Sequence, residues 1–244
     1  MNKPKRFSAA VAYFSASAFA QDVIPVNIGN YIRAETDIMI KANLVMFGDK
    51  KGGEIIHLRQ PTPPEQQPVI RMNRDTIYSA IVIDLSSPAT ITLPKVDWHY
   101  QSMMVTSQDH YTTAFAKPGE YVLRKEDIGS RYAFVAFRTL VNGGVRDLEL
   151  AHKAQDAIVI DTPYIQSDLE LPNWNKDQVE AIRSSINTIA TLGFSAELAF
   201  GTPEQVEPIA HLIGIAAGWG ACQKLRQCRT LILSNKIMAQ HHIA

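Results

Sequence analysis

The chain has 244 residues, 46% of them hydrophobic, with 24 basic and 24 acidic side chains and two cysteines. That apolar content supports a core of domain size and excludes disorder, which needs low hydrophobicity and a large net charge. A net charge of zero argues against a nucleic-acid binder, and two cysteines are too few for a disulfide framework.

The first twenty residues read as a cleaved export signal. Lys3, Lys5 and Arg6 form a positive start, Phe7 to Ala20 carries no charge, and Ala18-Phe19-Ala20 is a small-x-small site with cleavage before Gln21. Fourteen uncharged residues are too few to span a bilayer, which takes about 20. No later stretch is long and apolar enough either, so the expectation is an exported protein, periplasmic or secreted, without a membrane span. Removing Lys3, Lys5 and Arg6 from the 24 basic residues leaves 21 against 24 acidic ones, a mature charge of −3.

Between Tyr31 and Phe47 the apolar residues Ile32, Ile38, Met39, Ala42, Val45 and Met46 recur every three or four positions, which predicts an amphipathic helix. The Gly48–Gly53 cluster stops it, and Pro61, Pro63, Pro64 and Pro68 keep the next segment irregular. The period then changes to two. Ile77, Ser79, Ile81 and Ile83 alternate with Tyr78, Ala80, Val82 and Asp84, and further strands are predicted at Ala89–Leu93, Tyr100–Ser107, Tyr121–Leu123 and Tyr132–Leu140. The final third is helical again. Val145–Ile158 is a helix with a short strand starting at Val159, and Asp177–Leu192 carries a stripe at Val179, Ile182, Ile186 and Ile189. Thr202-Pro203-Glu204-Gln205 has the form of a capping box and predicts a helix start. The fold expected is mainly β with flanking helices (α+β): one domain from residue 21 to about 220, with an antiparallel β-sandwich or jelly-roll-like core and helical N- and C-terminal segments.

Three polar clusters are candidates for chemistry. Arg71-Met72-Asn73-Arg74-Asp75-Thr76-Ile77-Tyr78 enters a strand, and its two Arg, Asn and Asp within five residues suit an anion held by forked guanidinium contacts. The same residues also fit a network that ties the loop to neighbouring strands. In Gln108-Asp109-His110-Tyr111 an Asp stands beside a His at a strand end, the composition of a general base and its orienter. Adjacent strand residues point to opposite faces, so the pair cooperates only where the strand ends or bulges. Glu149, His152, Gln155 and Asp156 share the predicted helix Val145–Ile158, either as a polar face or as a helix packed on the sheet. Arg138 ends the otherwise apolar run Phe134–Arg138, where a buried Arg must be paired, and it could line a pocket.

The chain has no G-x-S-x-G, H-E-x-x-H, P-loop or G-x-G-x-x-G motif. His110, His152 and His211 could meet only through the fold. Cys222 and Cys228 would stand about 9 Å apart along a continuous helix, too far for a disulfide. Neither a metal nor a cofactor is implied.

Tyr31–Asp37, Met72–Ser79, Gln108–Thr112, Gly129–Tyr132, Phe137–Leu140, Leu148–Ile158 and His211–Gly214 together resemble the domain of unknown function 1254 family, from about Val23 to Gly220. The resemblance implies a largely bacterial, often exported protein with a β-rich fold, and it carries no catalytic role onto Arg74, Asp75 or His110. Similar members continue after a Gly-Trp-Gly like Gly218-Trp219-Gly220 into a second β domain, of unknown function 1214. Here Ala221–Ala244 departs from that pattern, and the expectation is a frame-shifted or degraded remnant with the companion domain lost. Such a domain would expose apolar surface and tend to self-associate.

The leading functional expectation is a binding or accessory module for a small polar or anionic ligand, with Arg71, Asn73, Arg74, Asp75, Tyr78, Asp109, His110 and Arg138 as its pocket. The alternative is an exported hydrolase with His110 as general base and Asp75 or Asp109 as orienter. A third reading is a non-functional relic of a two-domain protein.

Overall fold

The computed structural model describes residues 22–46, 51–63, 73, 75–96, 100–142 and 144–218. Residues 1–20, where an export signal is expected, Arg71, Arg74 and the Ala221–Ala244 tail lie outside them.

The expected α+β architecture is present as two antiparallel sheets flanked by helices. Helix α1 (Tyr31–Met46) precedes β1 (Ile56–His57), β2 (Thr76–Asp84), β3 (Ala89–Leu93), β4 (Gln101–Ser107), β5 (Thr112–Phe115) and β6 (Gly119–Leu123). A single turn, α2 (Lys125–Ile128), leads into β7 (Tyr132–Leu140), α3 (Val145–Asp156), β8 (Val159–Asp161), α4 (Lys176–Ala190) and α5 (Pro208–Gly218). The five-stranded sheet has the order β1-β2-β7-β4-β5 and the three-stranded sheet β6-β3-β8. The alternation read from the sequence decides how they stack. Ile81, Ile83, Met103, Val105, Ala133, Val135 and Phe137 leave the inner face of the large sheet and meet Ala89, Ile91, Leu93 and Leu123 of the small one.

The outer face of the large sheet is covered as well. Ile40 and Leu44 of α1 pack on Ala80, Val82, Tyr132 and Phe134, which are the residues of opposite parity. Helices α1, α4 and α5 then share a second core of Tyr31, Ala34, Val179, Ile186, Ala190, Ile213 and Ala216. The predicted stripe of α4 holds at Val179 and Ile186 but drifts at its end. Ile189 is 56% exposed, and Ala190 takes the buried place. Eleven residues make just over three full helical turns, so position 190 lies under 179 and position 189 does not.

The predicted helix start at Thr202 is corrected. The Thr202 hydroxyl donates to the Glu204 carboxylate at 2.7 Å, and only the reverse half of the box forms, with Thr202 N–H donating to the Gln205 side chain at 3.0 Å. The helix begins instead at Pro208, where the Glu207 carboxylate accepts from the amides of Ile209 and Ala210 at 3.1 and 2.7 Å. Proline in the first turn behind a side-chain cap was the right signal, met at the second proline rather than the first. Gly214 lets α5 press onto the preceding segment, since a Cβ there would lie 2.6 Å from the Ala199 Cβ.

Candidate functional site

The large sheet separates the sequence's candidates into two groups at opposite ends. Ser107 pairs with Ala133 at one end of the ladder and Thr76 with Leu140 at the other. Seven residue steps along β7 separate them, about 23 Å at 3.3 Å per residue. Asp75 and His110 therefore do not meet, and the structure does not assemble the base–orienter pair that joined them.

At the first end, β4 and β5 are joined by Gln108–Tyr111. The His110 amide donates to Ser107 O at 2.9 Å, Ser107 N–H donates to Tyr111 O at 2.9 Å, and His110 takes a left-handed φ of 61°. A residue with a Cβ rarely adopts that angle, and it persists only where its surroundings enforce it. Here they do. The Asp109 carboxylate accepts a forked pair from Arg33 of α1, with Nε 2.6 Å from Oδ1 and Nη2 on Oδ2. The pairing raises the Arg33 guanidinium above its ordinary value. The Gln108 amide donates to Asp37 at 2.7 Å, and the Trp174 indole N–H donates to the other Asp37 oxygen at 2.9 Å. Burial pushes the Asp37 carboxyl up, and these two donors counter it.

His110 itself is completely buried, with its ring 5.9 Å from that of Phe200 and 6.4 Å from that of His211. Burial first, and the neighbouring His211 second, lower it to about 3, so the ring is neutral. His211 sets its two nitrogens on the carbonyls of Ala199 and Asp109, at 2.7 and 3.0 Å, and stacks on Tyr111 at 4.9 Å. This end is a polar junction that locks the turn to α1 and α5. Of the three histidines that could have met, His110 and His211 do. His152 is on α3, with Nε2 2.7 Å from Arg59 O.

The sequence reading missed most of this junction. Arg33, Asp37, Trp174 and His211 come from three distant segments, and only the buried Glu35-Thr36-Asp37 run, breaking the apolar spacing of α1, hinted at it. Arg183 of α4 completes it by reaching buried Glu35 with Nε and Nη2 at 3.0 and 2.6 Å.

The third cluster is a packing helix. Gln155 of α3 is buried and donates to Leu58 O, Tyr78 O and Ser79 Oγ, at 3.2, 3.1 and 3.0 Å. His57 Nδ1 lies 2.8 Å from Ser79 Oγ, and burial lowers the His57 ring. Ser79 is only 2% exposed, so this serine–histidine contact ties β1 to β2 and offers no accessible nucleophile.

At the other end, Asn73, Tyr78 and Arg138 do come together. Tyr78 of β2 pairs with Arg138 of β7, which pairs on its other side with Ser102 of β4. The Arg138 guanidinium stands 5.9 Å from the centroid of the Tyr78 ring, and the Tyr78 hydroxyl oxygen accepts from the Asn73 amide at 2.9 Å. Tyr78, Arg138 and Ser102 are all partly exposed, on a sheet that is otherwise buried through most of its length. Asp75 is exposed beside them, its carbonyl accepting from Val141 N–H at 2.7 Å. Among the described residues no group of three His, Cys, Asp or Glu side chains could hold a metal, and no helix is long and apolar enough to cross a membrane.

Fold and site together define a two-sheet α+β protein with a closed polar junction at one end and a partly open Arg–Tyr row at the other. Over residues 52–162 the chain matches the family described as Protein of unknown function (DUF1254). That segment runs from β1 to β8 and includes both ends of the sheet, while α1, α4 and α5, with Arg33, Asp37, Arg183 and His211, lie outside it. The crystal structure of the VPA0106 protein from Vibrio parahaemolyticus is similar, with a TM-score of 0.61 and 13% identity over 80% of this chain and 66% of that one. The chain thus spans just under two thirds of that protein's length, and the likeness is one of fold. No curated protein matches the chain.

Proposed function

We propose that the chain is an exported binding or accessory module, and that it takes a small polar or anionic ligand at Arg138. The observation behind this reading is the cross-strand row Tyr78–Arg138–Ser102, which sets a guanidinium and two hydroxyls side by side and partly open to solvent. A guanidinium has five donors in a rigid fork, so an intramolecular contact still leaves it able to take a carboxylate. The Tyr78 oxygen already accepts from Asn73, which leaves its own proton to donate. Export rests on the basic start, the uncharged run and the Ala18-Phe19-Ala20 site.

The hydrolytic reading has less support. A general base must reach its proton and hold it, whereas His110 is buried and lowered to about 3, and the Asp109 carboxylate is engaged by Arg33. Calorimetric titration of the full chain with acetate tests the binding reading. Wild type is expected to bind and Arg138→Gln to lose at least ten-fold in affinity. Equal affinity in both proteins would refute it.

A further inference from the structure

The Tyr78–Arg138–Ser102 row lies directly beside a second row of different chemistry. Ala80 pairs with Ala136, and Ala136 with Met104, two ladder steps further along and therefore on the same face of the same three strands. The parity is settled by packing, because Ala80 and Ala136 belong to the cluster that α1 covers with Ile40 and Leu44. The two alanines leave the sheet surface low, and Met104 supplies a soft, adaptable side chain. Ala136 and Met104, like the polar row, are partly exposed, whereas the next row, Val82 and Phe134, is buried under the helix. The face therefore steps from a guanidinium with hydroxyls, through a low apolar shelf, to the wall made by α1.

We infer that the ligand of this face is an amphiphilic carboxylate, its anionic head on Arg138 and Ser102 and its apolar body laid across Ala136 and Met104 towards α1. This rests on the anion-binding reading above and narrows it to one class. A forked guanidinium matches the two oxygens of a carboxylate. A simple small anion would leave the neighbouring apolar row uncovered. Each methylene that the shelf removes from water improves affinity by a factor of about four.

Acetate and octanoate, titrated in parallel into the full chain, separate this inference from the reading beneath it. Octanoate is expected to bind at least ten-fold more tightly than acetate, and Arg138→Gln to weaken both. Ala136→Asp, which puts a carboxylate on the shelf, is expected to cut octanoate affinity at least ten-fold. A thermal melt of each variant shows that it is folded, and Met104→Ser replaces any variant that is not. If acetate and octanoate bind alike, the anion site stands and the shelf is refuted. Binding of neither refutes both. Octanoate binding unchanged in folded Ala136→Asp or Met104→Ser places the apolar body elsewhere and overturns the inference.

Discussion

The two ends of the large sheet hold similar residues in opposite conditions. At the β4–β5 turn, Asp109, Gln108, Asp37 and His211 all find partners within the protein, and His110 is completely buried. At the other end, Tyr78, Arg138 and Ser102 share one face and keep part of their surface in water. The difference teaches that a dense polar motif is not by itself a site. An Asp beside a His reads as catalytic in one dimension, yet here the fold spends both on joining a turn to two helices.

If the turn end is structural, its variants change stability. The largest effect is expected at α1–α4. Arg183→Met leaves the Glu35 carboxylate, 4% exposed at its side chain, without its forked partner. The loss should be about 3 kcal/mol, near the low end for a broken buried pair because the Arg183 side chain is itself 27% exposed. Chemical denaturation measures it, and a loss below about 1 kcal/mol would show that α1 does not depend on this pair.

His110 sharpens the comparison through pH. Unfolded, its ring takes a proton below the ordinary histidine value of 6.5, whereas folded it stays neutral down to about 3. Its contribution is thus complete above pH 6.5 and declines as pH falls towards 3, at up to about 1.4 kcal/mol per pH unit. Asp37 works in the opposite sense just above the ordinary aspartate value, because its folded carboxyl is raised and gains its proton first. His110→Gln should flatten the decline in stability between pH 6.5 and 4, and an unchanged slope would mean that the ring is not held neutral. A smaller effect is expected at Asp109→Asn. The Arg33–Asp109 side chains are 34% and 38% exposed, so the loss should be about 1 kcal/mol and should shrink in high salt.

Much of the fold was legible because period-two and period-3.6 patterns report burial directly. Strands β3 and β7 run over the predicted ranges, and α1, α3 and α4 agree to within two residues at each end. β1 was missed because two residues carry no period. Thr112-Thr113-Ala114-Phe115 of β5 was missed because an edge strand with its middle exposed shows no alternation. The site was legible only in part. Register unites Tyr78 with Arg138, sixty residues away in sequence, and no local spacing encodes it. Likewise the Asp109 carboxylate could be read against His110 until Arg33, supplied by a distant helix, claimed it.

The most direct test of the account sets His110→Gln against Arg138→Gln in one experiment, with thermal melting and acetate titration of each full-length protein. The account predicts a crossed result. His110→Gln changes the melt and its pH dependence while acetate affinity stays within two-fold of wild type. Arg138→Gln loses acetate binding while its stability stays within about 0.5 kcal/mol, as for a surface substitution. Loss of acetate binding in His110→Gln, with Arg138→Gln binding normally, would contradict the account and move the functional site to the turn.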